Sequence, residues 1–149
     1  MNYRRFAALC IGIVLPLILS GAASAASGKS EIKGAAIFDH PCGKVAVKQM
    51  GLAHAGKMDE ANKLTTKEMQ EQWKAMPAKD RTMMSGMMKE MSQTEAQFSA
   101  DIKSNGVLVI DGQSATLKVE KKAKDKNGSS TSTMTQNFKI EGDQCLVSR

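Results

Sequence analysis

Five of the nine residues from Met83 to Met91, MMSGMMKEM, are methionine. A thioether can do two different jobs. It is a soft ligand that suits Cu(I), and it is a flexible apolar group that fills irregular gaps in a core. On a helix, Met84, Met87, Met88 and Met91 share an arc of roughly 100°, with Met83 beside it. Such an arc is what a core-facing helix needs, so these side chains are expected to pack inward. The alternatives are a copper site built from Met84, Met87 and Met91, with His54 as a nitrogen ligand, and a methionine-rich groove for a partner.

His54 lies on an apolar stripe with Val47, Met50, Met58, Ala61 and Leu64. An imidazole in such a place needs at least one hydrogen-bond partner. It reads either as a rim histidine with a backbone partner or as a group facing a ligand. The run Asp39-His40-Pro41-Cys42 offers carboxylate, imidazole and thiol within four residues. Zinc is the chemistry this would serve, and Pro41 and a bridged Cys42 both argue against it. The chain has no C-x-x-C pair, serine nucleophile elbow, phosphate loop or H-E-x-x-H. No general base with a positioned partner is evident. Catalysis and a bound cofactor are therefore not expected.

The first residues set the compartment. Arg4 and Arg5 precede an uncharged apolar run, Phe6 to Leu19, and Ala23-Ser24-Ala25 follows as a cleavage signal. Residues 1–25 read as a secretory signal peptide and not as a membrane span. Cys10 sits inside the apolar run, where it is filler and not a lipid anchor. Cleavage lowers the formal net charge from +6 to +4. The only local cluster is Lys118 to Lys126, KVEKKAKDK, which reads as a solvated strand edge before a turn. A nucleic-acid footprint would want arginines and interleaved aromatics there. Cys42 and Cys145 survive processing, and an oxidising periplasm favours a bridge between them. An intermolecular bridge, or a reactive Cys42 near a helix start, are the other readings.

These residues need elements to hold them. Residues 26–36 read as a flexible lead-in, and residues 37–149 as one domain. Pro41 suits the first turn of a helix, with Asp39 or His40 as its cap. One long amphipathic helix then runs to Leu64, weakened at Gly51 and Gly56. Thr65 and Glu68 form an expected capping box for a short helix carrying Met69, Trp73 and Met76. Pro77 ends it, and a third helix reaches Met91. From Ala96 the period becomes two, with Phe98, Ala100 and Ile102 alternating. Asn105-Gly106, Asp111-Gly112 and Asn127-Gly128 mark hairpin turns. Ala115, Leu117 and Val119 share one face of a strand. Met134, Gln136, Phe138 and Ile140 share one face of the next. Glu141-Gly142-Asp143 turns into the closing strand. The fold class is α+β, with N-terminal helices packed on a curved antiparallel meander of about four strands.

The pieces AHAGKMDEANKLTT (Ala53 to Thr66), DGQSATLKVEKK and TQNFKIEGDQCLVS resemble, in pattern, the nuclear transport factor two-like superfamily. It is also called ketosteroid isomerase-like, and its sheet closes a cystatin-like cone. The resemblance covers nearly all of the mature chain. It implies a cone pocket lined by the first helix, with His54, Met50, Met58, Trp73, Met84, Met88 and Phe98 as candidates to face it. Steroid-isomerising members use an aspartate base and a tyrosine with a second acid. The one tyrosine of this chain, Tyr3, lies in the signal peptide, and Asp101 and Glu120 read as outward-facing. The expectation is an exported, non-catalytic domain that binds a small apolar ligand or an envelope protein. Copper binding, or an enzyme of the same fold with other chemistry, are the alternatives. No nucleic-acid partner and no membrane span after processing are expected.

Overall fold

The computed structural model describes residues 28–125 and 128–149, and side chains outside 122–129. The expected signal peptide, and Asn127 of the expected third hairpin turn, lie outside the described residues. Among the described residues there are five α-helices, one 3-10 helix and five strands. The class is α+β, as expected, but the sheet has five strands and not about four. The added strand is β1, Ser30–Lys33, which pairs antiparallel with β2 through Ile32↔Leu108. The sequence gives this segment only one apolar side chain, Ile32, so it reads as flexible; in the fold Ile32 packs on the core. No described helix is long and apolar enough to cross a membrane.

The 3-10 helix Gly34–Asp39 leads into α1, Pro41–His54. Of the two expected caps, His40 does the work: its Nδ1 accepts from the Cys42 N–H at 3.2 Å. Burial holds the His40 pKa below its ordinary value, which keeps the lone pair on Nδ1 available. Gly43 sits against the Ile37 carbonyl so closely that a Cβ there would collide with it. The expected long helix ends early. Gly56 adopts φ +73°, which breaks the helical path, and α2, Met58–Asn62, starts after it.

Helix α3 is Lys67–Ala75. The Thr65 capping box does not form, because the Thr65 hydroxyl donates backward to the Asn62 carbonyl at 2.7 Å. Backbone hydrogen bonds from Thr66 to Val147 and from Val147 to Leu64, both 2.9 Å, tie this corner to the last strand. Trp73 Nε1 donates to Asp59 at 2.7 Å and joins α3 to α2. Helix α4, Ala78–Met91, follows Pro77. The next segment departs from its expected strand: Glu95–Asn105 is helix α5. Thr94 and Gln97 cap it reciprocally, each at 3.2 Å. Phe98 and Ile102 are four apart, a spacing that both a helix and a strand place on one face. Ala100, which a strand would bury with them, is exposed.

Strands β2 (Gly106–Asp111), β3 (Ser114–Asp125), β4 (Gly128–Glu141) and β5 (Gln144–Ser148) form the expected meander, in sheet order β1-β2-β3-β4-β5. The turns at Asp111-Gly112 and Glu141-Gly142-Asp143 fall where the sequence puts them, whereas Asn105-Gly106 is a helix-to-strand junction. Pairs Leu108↔Leu117, Ala115↔Phe138 and Phe138↔Val147 set the register. One face therefore carries Leu108, Leu117, Val119, Phe138 and Val147 onto Ile37, Ala46, Phe98 and Ile102. Cys42 of α1 is bonded to Cys145 of β5, with Cα atoms 5.0 Å apart. Past the Gly106↔Val119 pair, β3 and β4 pair only with each other. Glu120 there is exposed, as is Lys118 just before that pair, and Lys121 pairs with Asp101 at 3.0 Å.

Candidate functional site

The methionines of α4 face outward, contrary to expectation. No residue of α4 is buried, and Met83, Met84, Met87, Met88 and Met91 range from 39% exposed (Met88) to 76% (Met91). The reason lies in α5. Reading 96–105 as a strand leaves α4 as the helix to cover the sheet. In the fold α5 does so with Phe98 and Ile102, and α4 rests beside α1. Truncating these methionines should therefore cost little. Met91→Ala is expected to change stability by no more than about 0.5 kcal/mol, as at other exposed sites, because alanine also keeps the helix propensity. Urea unfolding of the two proteins checks this, and a loss above about 2 kcal/mol would restore the core reading.

Of the α4 methionines, Met88 lines a concave site. A groove of about 210 Å³ is lined by Gln49, Met50 and Ala53 of α1 and by Met58 and Ala61 of α2. Met88 and Ser92 close it from the end of α4, and Met134, Thr135 and Gln136 of β4 form its other wall. Four thioethers thus converge from four elements. Gln136 Nε2 donates to Gln49 Oε1. Gln136 Oε1 is buried and has no partner among the described residues. An acceptor left in that state costs about 1 to 3 kcal/mol.

Of the residues expected at a pocket, the structure brings together Met50, Met58 and Met88. Phe98 is fully buried in the core. Trp73 belongs to a separate surface recess with Asp59, Arg81 and Ser85. Met84 is on the open face of α4. His54 is beside the groove and not on its wall: its Nδ1 lies 3.0 Å from the Ser92 carbonyl. A carbonyl only accepts, so the neutral ring donates from Nδ1 and keeps its lone pair on Nε2. The rim reading of His54, with a backbone partner, is the one the geometry matches. Met134 and Gln136 are the wall that reasoning from helical stripes misses. Their shared face with Phe138 is the signal that could have found them.

The acids expected to face outward divide. Glu120 is exposed. Asp101 is on α5 and accepts from Gln93 at 2.9 Å and from Lys121 at 3.0 Å. Burial alone would push the Asp101 carboxyl up; the Gln93 hydrogen bond and the Lys121 ammonium outweigh it and hold the pKa below its ordinary value. It fastens α5 to β3 and is not part of the groove lining. The Asp39-His40-Pro41-Cys42 run is likewise spent on structure, since His40 caps α1 and Cys42 is in the disulfide. Among the described residues no three His, Cys, Asp or Glu side chains gather as a metal-binding group. Comparison of the chain with family models, with curated proteins and with solved structures finds no match.

Proposed function

We infer that the mature protein is an exported, non-catalytic domain that binds a small apolar group in the methionine-lined groove. The observation that carries this reading is the convergence of Met50, Met58, Met88 and Met134 on one concave site. Methionine is the side chain that adapts most readily to apolar partners of different shape. The size narrows the class. Pockets that enclose a drug-sized molecule run to about 300–1,000 Å³, and at about 210 Å³ this groove suits a smaller apolar guest, a short alkyl chain or the rings of a small aromatic amine. An apolar side chain of an envelope protein presents the same chemistry. A hydroxyl or amide donor on the guest would satisfy Gln136 Oε1. No lining residue carries a titratable side chain, which supports binding over acid–base catalysis.

Export rests on the signal-peptide character of residues 1–25 and on the disulfide, a bond suited to an oxidising compartment such as the periplasm. Kinship with the nuclear transport factor two-like superfamily stays a proposal, supported by helices preceding an antiparallel meander. The groove is tested with N-phenyl-1-naphthylamine, an uncharged apolar fluorophore. The parent should bind it with enhanced emission. Met88→Glu should weaken binding at least tenfold, about 1.4 kcal/mol, because the guest would have to desolvate a carboxylate. Met88 is part-exposed, so the variant should keep the parent's circular dichroism. Equal affinity in the two folded proteins would overturn the reading.

A further inference from the structure

Burial does not explain the sulfur on α4. The helix has no buried residue, and leucine would serve its propensity as well as methionine does. The face is nevertheless built from methionine. Met84, Met88 and Met91 stand at i, i+4 and i+7, within roughly 60° of one another around the helix. Side chains at such spacings are neighbours, and each thioether swings on three rotatable bonds.

A second observation lies at the end of this row. The Ser92 carbonyl, next in the chain after Met91, holds His54 by its Nδ1–H. The Ser92 N–H in turn bonds to the Met88 carbonyl at 2.9 Å. A backbone carbonyl on one ring nitrogen is how proteins fix the tautomer of a metal-binding imidazole. His54 Nε2 has no hydrogen-bond partner among the described residues. Both cysteines of the mature chain are consumed by the disulfide, so thioethers are its only free sulfur. Thioether sulfur with one imidazole suits a soft monovalent ion and is poorly matched to magnesium or calcium.

We propose that Met84, Met88, Met91 and His54 form a binding site for a soft monovalent cation, Cu(I) or Ag(I). The α4 row supplies three sulfur ligands, and His54 Nε2 closes the set at the helix end. No electron is transferred: the ion arrives and stays in the monovalent state. The site adjoins the apolar groove through Met88 but does not depend on what the groove binds.

The test titrates the mature protein with Ag(I), and with Cu(I) under anaerobic conditions, against a competing chelator. The parent should take up one equivalent. Replacing Met84 and Met91, which are outside the groove lining, together by leucine removes two of the three sulfurs and keeps apolar bulk. This variant should lose at least tenfold in metal affinity while still binding N-phenyl-1-naphthylamine. His54→Gln should also lose at least tenfold. Parental metal affinity in either variant, or no one-equivalent binding by the parent, overturns the proposal. Because neither Met84 nor Met91 lines the groove, loss of metal binding and loss of fluorophore binding are separate results.

Discussion

Replacing Cys42 and Cys145 together by alanine should lower the free energy of unfolding by about 4 to 5 kcal/mol, the chain-entropy value for a closed loop of this length. The two cysteines are 103 positions apart, so the bond restrains nearly the whole domain when it unfolds. Both are buried, Cys42 at the start of α1 and Cys145 on β5. Alanine fits both backbones, which confines the effect largely to the lost bond. Domains of this kind have about 5–15 kcal/mol in total, so the variant should lose roughly a third of its stability or more. Urea unfolding of parent and variant, with non-reducing peptide mapping of the parent, measures it. Coincident unfolding curves would contradict the account.

Phe98→Ala should be nearly as damaging, at about 3 to 5 kcal/mol, because transfer and cavity terms add. Phe98 is fully buried in the same cluster as Ile37, Ile102, Leu117 and Phe138. It is one of two side chains by which α5 covers the sheet, so its loss loosens the helix as well as the core. Ala100→Ser on the opposite, exposed side of α5 should stay within about 0.5 kcal/mol. The pair also tests the secondary structure, since a strand would put residues 98 and 100 on the same face, whereas the helix puts them on opposite sides. Chemical denaturation of both variants is the measurement, and a Phe98→Ala loss below 1 kcal/mol would contradict the core described.

The meander is legible in the sequence because Ala115, Leu117, Val119 and then Met134, Gln136, Phe138, Ile140 alternate without interruption. The pairing of Cys42 with Cys145 is legible because only two cysteines lie outside the expected signal peptide, which leaves few arrangements. The start of α1 is legible in Pro41. The helix α5 is not, because a separation of four satisfies both the helical and the strand period. What decides between them is the Thr94–Gln97 cap, two polar residues ahead of the apolar ones. That single ambiguity carries into the methionines: with one core helix misread as strand, the row on α4 is wrongly sent inward. The candidate site is half legible. Met50, Met58 and Met88 follow from helical stripes, whereas Met134 and Gln136 depend on which strand lies beneath them, and that is a property of sheet register. Ile32 is a small case of the same kind, one apolar residue whose burial depends wholly on a distant strand.

The central claim is that the groove, and not the open face of α4, takes the apolar guest. Methyl-labelled methionine spectra of the mature protein, recorded while N-phenyl-1-naphthylamine is added, test it most directly. The account predicts that the methyl signals of Met50, Met58, Met88 and Met134 shift together with one affinity, while those of Met83, Met87 and Met91 stay in place. Shifts confined to Met83, Met87 and Met91, or no shift at all, would contradict it.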